Sequence, residues 1–441
     1  MTVAERSSAE TRPIRTSVPA RRLYSSVYLI WFCAVLMFGV LAFGAVETWA
    51  NSLLEIGAAF LFTVLVVHKI CISKLSVKRN PLYSPMLGFA AVGAAQVVFN
   101  LTAYRYATLV VCLQFLSYAA LLFVATQLAG DLGSSKILVL VFAAFGSAVA
   151  LLAICQYLSS APNIYWLRSP GTGGNFFGTY VNRDHYAGLM EMLMPFALVL
   201  SLSRLVHGGQ RMLAGFAAII MAGSIVLTLS RGGVISLAAQ LLFLFWITSK
   251  VQKGSLVRNR LLLGIGLTLA FLAFAGSSST MWSHLGDLQE TFRLDVLKDS
   301  LRMFARKPII GWGLGTFDTV YPSFRSFYTT VYVNAAHNDY LQVLVEAGIL
   351  GFGFVVWFVI RLYQAGLKQL GHWNQSWRGA LQLSCLVGCT GILVHSALDF
   401  NLQVPGTAAF FFALGALATS LPASAEKSIP GFVPEPLRKV S

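Results

Sequence analysis

The chain has 441 residues, of which 56% are hydrophobic and only 11% are charged, and its mean hydropathy is +0.70. A water-soluble globular domain carries about 25% charged residues, so this composition excludes an ordinary soluble protein. Apolar stretches of about 17 to 25 residues recur along the chain, each long enough to cross a hydrocarbon layer roughly 30 Å thick. Because a chain in lipid must satisfy its own backbone hydrogen bonds, we predict an all-α integral membrane protein.

About twelve such segments are predicted to span the membrane as one helical domain, 26–421, between an N-terminal tail, 1–25, and a C-terminal tail, 422–441. In chain order they are 26–46, 52–70, 84–101, 107–127, 136–158, 184–203, 212–229, 232–249, 261–277, 341–363, 379–398 and 402–421. Two connections are long, about 159–183 and 278–340. Loops longer than about 12–15 residues are usually functional when they are ordered.

The net charge is +15, and the basic residues are distributed along the chain in a way that indicates the orientation of the protein in the membrane. Lys and Arg concentrate in the tails and in every second connection, which predicts that both termini lie in the cytoplasm and that the two long loops face outward. The charge therefore indicates orientation and does not predict nucleic-acid binding. The basic N-terminal tail has no early apolar run, so we do not expect a cleaved signal peptide. The cysteines show no Cys-x-x-Cys spacing, which predicts neither a disulfide nor a zinc site.

The long loop 278–340 contains a predicted amphipathic helix, because apolar residues recur at helical spacing between 292 and 304. These residues are Leu294, Val296, Leu297, Leu301 and Phe304. A turn-rich segment, 307–315, follows it.

Arg231 is the first candidate for chemistry, because it stands at the tight junction between the seventh and eighth segments. The adjacent Gly232 and Gly233 allow a ligand to approach the backbone, and a helix starting at Gly232 would present its positive end to an anion. The alternative is an interfacial arginine that caps a hairpin. Arg293 and Arg302, in the loop helix, are further candidates, with a solvated helix face as the alternative for each.

His337 is the second candidate. Asn338 or Asp339 is a natural N-cap, which places His337 just outside the tenth helix. We expect a cationic environment that leaves the imidazole able to accept a proton. Glu346 lies half a turn out of phase with His337 and cannot pair with it along one helix. We therefore expect Glu346 to be a buried anchor for another helix or for an arginine.

Outward arginines and a histidine, without a cluster of outward carboxylates, favour an anionic ligand and no divalent metal. The ordered motifs Ser230-Arg-Gly-Gly233, Gly311-Trp-Gly-Leu-Gly-Thr-Phe317 after Arg293, and His337-Asn-Asp-Tyr-Leu341 resemble the O-antigen ligase and O-antigen polymerase superfamily of bacterial envelope glycosyltransferases. The segment 178–188 also resembles that family, and the similarity covers about 175–400.

The resemblance implies a GT-C type bundle and a metal-independent inverting glycosyltransferase without a cofactor. The implied donor is a glycan on undecaprenyl diphosphate, used at the periplasmic face of the bacterial inner membrane, with its polyprenyl tail along the hydrophobic helix walls. Arg231 and Arg293 match diphosphate-binding positions, with Arg302 as a further candidate, and His337 matches the histidine that activates the acceptor hydroxyl. The predicted supporting residues are Asn182, Arg183, His185, Asn338 and Glu346. Asp184 stands where the family pattern leads us to expect asparagine.

The acceptor stays open at this point. We favour a ligase that uses lipid A-core, and the alternatives are a polymerase that uses a second lipid-linked repeat unit and a protein O-oligosaccharyltransferase. A transporter of lipid-linked sugars is the rival outside the enzyme class. Such folds show paired repeats and mid-membrane ionisable residues in broken helices, which we do not find in the sequence. The expected partners are the donor, the acceptor and membrane lipid.

Overall fold

The computed structural model describes residues 18–71, 77–129, 132–169, 176–251, 287–330 and 332–420. Within these ranges the chain is helical and contains no β-strand, only two isolated bridges. The principal helices are α1 Val18–Leu41, α2 Thr48–Cys71, α3 Tyr83–Val98, α4 Arg105–Leu128, α5 Leu132–Leu158, α6 Arg183–Leu202, α7 Gly208–Leu227, α8 Arg231–Val251, α9 Asp287–Arg306, α10 Asp339–Leu367, α11 Trp377–His395 and α12 Pro405–Thr419. The predicted all-α class is therefore confirmed for this part of the chain.

All of the predicted spans except 261–277 coincide with a helix. Eight helices, α2, α4 to α8, α10 and α11, are long and apolar enough to cross a membrane. Helices α1, α3 and α12 contribute shorter apolar stretches. The segment 261–277 and the tail 422–441 lie outside the described residues, as do 1–17 and 278–286, so the count of twelve spans stays a prediction. All six cysteines are free.

The connections between helices gather at two ends of the bundle. At one end, Gly44, after α1, packs against Tyr180 and Val404. At the other end, Asn80 is hydrogen-bonded to Thr419, at 3.2 Å. We call the first the His337 end, because α10 begins there. Helix α12 ends at the opposite end, and which end faces the cytoplasm stays a prediction.

Helices α6 and α11 form the centre of the bundle. Nearly every side chain of both is buried, whereas the outer helices α2, α7 and α10 expose much of their apolar surface. A helix that is apolar on all sides and surrounded by other helices is a core element of a membrane bundle. Polar side chains on α6 and α11 are therefore enclosed by protein and not by lipid.

Helix α9 confirms the predicted loop helix, but its buried face differs from the predicted stripe. Val296 and Met303 are fully buried, whereas Leu294 and Leu301 are about half exposed. Asp299 shares the buried face, where it accepts hydrogen bonds from Ser326 N at 2.9 Å and from the side chain of Arg302 at 2.8 Å. A buried carboxylate needs such partners, and apolar periodicity alone does not reveal them.

Helix α10 is broken at Gly348, where φ is +65° and ψ is −169°. The turn-rich segment of the long loop fits into the break: Ile349 N donates to Pro308 O at 2.8 Å and Leu350 N donates to Ile309 O at 3.2 Å. A Cβ at Gly348 would lie 2.3 Å from Ile309 O. Non-helical backbone within the membrane requires such protein partners, because lipid offers none. The break thus fastens the loop to the bundle.

We expect Gly348→Ala to destabilise the folded protein by about 3 kcal/mol, because a side chain strains this backbone conformation and collides with Ile309. The measurement is the Tm of the detergent-solubilised protein. Gly353→Ala is the matched control in the same helix, because a Cβ there meets no atom within 4 Å. Equal Tm values for the two variants would contradict the proposed role of the break.

Candidate active site

The start of α10 positions His337. Asn338 is the N-cap: its side chain accepts a hydrogen bond from Leu341 N at 3.0 Å, as the sequence predicts, and donates one to Ala397 O at 2.9 Å. Asp339 N donates to Ser396 O at 2.9 Å. His337 itself has φ +51°, a left-handed conformation that is uncommon outside glycine. The turn after α11 thus holds the two residues that directly follow this histidine.

Asp399 links His337 to the loop helix α9. Its carboxylate is 3.3 Å from His337 Nδ1 and 3.4 Å from the Arg293 guanidinium. The Asp399 side chain is only 2% exposed, whereas that of Arg293 is 42% exposed. Arg293 also lies 3.6 Å from Asp184, in the first turn of α6. Four separate segments of the chain, the start of α6, α9, the start of α10 and the turn after α11, therefore meet at this site.

Burial and charge act in opposite directions on Asp399. Burial raises the pKa of its carboxyl, but the hydrogen bond with His337 and the charges of His185 and Arg293 lower that pKa by more than burial raises it. The net pKa lies well below its usual value, so the carboxylate is ionised throughout the neutral range. Phe400 N adds a hydrogen bond to Asp399 at 2.9 Å.

His185 lies beside this cluster in the first turn of α6. The Phe400 ring packs edge-on against His185 at 4.8 Å and against His337 at 5.0 Å, measured between ring centroids. His185 is buried, and its Nε2 has no hydrogen-bond partner among the described residues. Asn182 caps α6 by accepting a hydrogen bond from Asp184 N at 2.8 Å. The predicted supporting residues Asn182 and His185 therefore lie beside the His337 site.

Arg231 begins α8 at the same end of the bundle. Ser230 caps this helix, because its hydroxyl accepts a hydrogen bond from Gly233 N at 3.1 Å. A Cβ at Gly232 would lie 2.6 Å from His395 Nε2, so the start of α8 packs directly against the end of α11. Since the next residue of that turn, Ser396, bonds to Asp339, the structure brings Arg231 and His337 to one region.

A buried pair behind Arg231 was missed by sequence reasoning. His395 Nδ1 and Glu191 Oε1 are 2.8 Å apart, and neither side chain is more than 1% exposed. Gln240, on α8, donates to Glu191 O at 2.6 Å. Glu191 is the carboxylate in the interior of the predicted span 184–203, which also begins with Asp184, and an ionisable residue at membrane depth is itself a signal. The pair contacts Gly232 and thereby fixes where α8 begins.

Two predicted residues lie apart from His337. Arg302 is 62% exposed and pairs with Asp299 at 2.8 Å, and a separation of nine residues puts it on the face of α9 opposite Arg293. Glu346 is a buried anchor, but its partners are not an arginine. It accepts hydrogen bonds from Gly315 N at 2.9 Å and from Phe317 N at 3.2 Å, which attaches the loop motif to α10.

The expectation that carboxylates would not cluster here is wrong. Asp184 and Asp399 both face Arg293, so the site combines both signs of charge. Asp399 was missed because its role depends on tertiary contacts, and the available signal was a carboxylate just beyond the end of a span. No group of three or more His, Cys, Asp or Glu side chains in the described ranges is arranged to hold a metal ion.

An apolar cavity of about 170 Å³ lies between α3, α4, α10 and α12. Its walls are mainly aromatic and aliphatic, including Phe89, Phe115 and Phe412, and Asp339 and Gln403 line it as well. These two polar residues are hydrogen-bonded to each other at 3.3 Å and belong to the segments that carry His337 and Asp399. The cavity thus connects an apolar interior to the polar site.

The low pKa of Asp399 predicts the direction in which the stability of the folded protein changes with pH. A carboxylate whose pKa falls on folding contributes stability that is fully present above its unfolded pKa, about 3.9. That stability is lost only as the pH falls through the lower folded pKa. We therefore expect Asp399→Asn to lower the Tm, and the deficit to persist from about pH 8 to about pH 5.

The measurement is the Tm of both proteins in detergent across that range. Asp295→Asn is a matched control, because it removes an ion pair with Lys298 whose cation is largely exposed and which contributes little. A deficit for Asp399→Asn that disappears by about pH 5 would contradict the assigned ionisation.

Comparison with known proteins agrees with the sequence motifs. A family described as O-antigen ligase matches residues 216–356. The matched segment runs from α7 into α10 and includes Arg231, Arg293 and His337. No curated protein matches the chain at a significant level. The resemblance predicted from the sequence is therefore supported: the chain has several helices that are long and apolar enough to cross a membrane, and its segment 216–356 is similar to the O-antigen ligase family.

Proposed function

We propose that this protein transfers a glycan from undecaprenyl diphosphate to an acceptor hydroxyl at the periplasmic face of the bacterial inner membrane, with lipid A-core as the acceptor. The observation that carries the proposal is the His337–Asp399 contact at 3.3 Å, in a region that Arg293 and the start of α8 share. A positioned imidazole, an ionised carboxylate and arginines are the groups that an alcohol attack on a diphosphate-linked sugar requires.

His337 is the proposed general base. When Nδ1–H of His337 donates to Asp399, the lone pair is on Nε2, and the carboxylate stabilises the imidazolium that forms. Asp399 is therefore a positioning residue, because it acts through the imidazole. The hydrogen bonds of the Asn338 side chain and of the Asp339 backbone hold the chain next to His337, which reduces the entropy cost of aligning the ring with the acceptor.

Arg231 and Arg293 are the proposed diphosphate ligands. The acceptor oxygen attacks the anomeric carbon as its proton passes to His337 Nε2. The bond from that carbon to the diphosphate oxygen breaks, and its electron pair leaves with the diphosphate. Attack opposite the leaving group inverts the configuration. Fixed cations stabilise the developing charge on the leaving group, and an arginine fork fits two phosphate oxygens.

The apolar cavity between α3, α4, α10 and α12 supports a place for the polyprenyl tail. A tail there would be shielded from water, and burial of apolar surface contributes about 25 cal/mol per Å². Asp339 and Gln403 mark the polar side of the cavity, next to the segments that carry His337 and Asp399. The donor would therefore extend from the membrane interior to the reacting carbon without exposing its tail.

We expect His337→Ala and Arg231→Ala each to reduce glycan transfer by on the order of 10² to 10⁴-fold, because each removes a group that acts in the transition state. The measurement is transfer from purified lipid-linked glycan to lipid A-core, without ATP or an ion gradient. Running the assay with a second lipid-linked repeat unit as acceptor distinguishes a polymerase from a ligase.

His372→Ala and Arg105→Ala are matched controls for the same reaction. Both side chains are exposed, His372 lies at the opposite end of the bundle, and neither contacts the His337 site. Size-exclusion profiles of all four variants check that the proteins fold. Full activity in either His337→Ala or Arg231→Ala would remove the proposed assignment.

A separate expectation concerns divalent metals. If arginines stabilise the leaving diphosphate, transfer continues at an unchanged rate after chelation of divalent cations. The measurement is the initial rate before and after dialysis against EDTA, with addition of Mg²⁺ as the reverse test. A strict requirement for Mg²⁺ would overturn leaving-group stabilisation by arginine alone.

A further inference from the structure

A second cavity, of about 430 Å³, opens at the His337 end of the bundle. It lies between the end of α5, the segment 176–178, the start of α6 and the α7–α8 hairpin. Its volume is within the range of about 300–1,000 Å³ that small-molecule sites occupy. The side chains that matter below are Tyr157, Phe177, Arg183 and Leu229. A larger share of its walls is polar than in the apolar cavity among α3, α4, α10 and α12.

Tyr157 provides an accessible aromatic surface on one wall. Its side chain is 50% exposed, and its ring centroid lies 5.9 Å from that of Phe177. Phe177 is buried and packs in turn against Tyr186 at 4.9 Å. A ring supported from behind loses little entropy when a ligand covers it, and a tyrosine ring offers both an apolar face and a polar hydroxyl. Such a surface suits the apolar face of a pyranose ring.

Arg183 provides a cation on another wall. It is the first residue of α6 and is half-buried, and no hydrogen bond or ion pair joins its side chain to another side chain or to the backbone in the described part of the chain. None of the residues that line the cavity is acidic, and the neighbouring Asp184 points to Arg293. The positive end of the α6 dipole adds to the charge. An anionic group of a ligand in this cavity would therefore meet Arg183 without competition from a carboxylate among the lining residues.

The cavity adjoins the proposed diphosphate site. Leu229, which lines it, is two residues from Arg231, and Asp184, which follows Arg183, lies 3.6 Å from Arg293. A glycan whose diphosphate contacts Arg231 would place its first sugars close to this opening. This placement of the first sugars rests on the proposed function, whereas the aromatic and cationic walls of the cavity do not depend on it.

We propose that this cavity binds one or two sugar units of the glycan, including a sugar that carries a carboxylate. Tyr157 packs against the face of a pyranose ring, and the Arg183 guanidinium pairs with the carboxylate. A guanidinium binds a carboxylate through two parallel hydrogen bonds, so the cavity selects acidic glycans over neutral ones. The sugar composition of the glycan is then recognised in part by α5 and α6, apart from the residues that carry out the transfer.

The test uses the purified full chain in lipid nanodiscs and two matched probes, methyl β-D-glucuronoside and methyl β-D-glucoside. Saturation-transfer NMR measures the affinity of each probe. We expect the wild-type protein to bind the glucuronoside roughly tenfold more tightly, since a charge-assisted pair is stronger than a neutral hydrogen bond. Arg183→Gln should reduce the affinity for the glucuronoside to that for the glucoside. Arg183→Lys should give an intermediate affinity, because lysine keeps the charge but lacks the planar guanidinium fork.

Tyr157→Ala should weaken the binding of both probes. Arg105→Gln removes an exposed cation outside the cavity and should change the binding of neither probe. Equal binding of the two glycosides by the wild type and Arg183→Gln would overturn the proposal. So would binding of inorganic phosphate at Arg183 without saturation of either glycoside, because the cavity would then be a simple anion site. Binding without any glycan transfer would contradict only the proposed function, and transfer with no binding here would contradict only this inference.

Discussion

A single buried carboxylate, Asp399, determines how the candidate site is assembled. Its charge is enclosed by protein, so it requires compensating partners, and these come from distant parts of the chain: Arg293 from the long loop, His337 from the start of α10 and the backbone of Phe400. Removing any partner leaves charge uncompensated in a dry environment. The position of the loop helix relative to the membrane helices is therefore coupled to the orientation of the histidine.

A second buried pair, Glu191 and His395, also joins separate helices beside the candidate site. Glu191 and His395 connect α6 to α11 at 2.8 Å, and His395 contacts the backbone at Gly232, where any Cβ would collide with it. Because α8 begins one residue earlier, at Arg231, the pair determines where that guanidinium can lie. The Glu191–His395 pair acts on the start of α8, whereas Asp399 contacts His337 and Arg293, so the two proposed diphosphate ligands are positioned by separate structural elements.

The sequence predicted well those features that depend on local order. Apolar length located the helices, and an asparagine in the right place predicted the N-cap before α10. It did not predict the break at Gly348, because the Pro308 and Ile309 carbonyls that stabilise it are about 40 residues away. It also missed Asp399, whose importance depends on burial and partners. The buried face of α9 differed for the same reason: Asp299 lies in that face through contacts with the following loop.

The candidate arginines, which sequence analysis could not distinguish, differ in their charged surroundings. Arg293 faces two carboxylates, Asp184 and Asp399, so much of its charge is compensated within the protein. Arg231 and Arg183 begin α8 and α6, where the helix dipoles add positive potential. In the proposed reaction, the helix dipole at the start of α8 therefore adds to Arg231 in binding the diphosphate, whereas Arg293, the second diphosphate ligand, also holds Asp399 beside His337. An inverting displacement needs the base and the leaving group on opposite sides of the reacting carbon, and these two different electrostatic environments suit the two opposite roles.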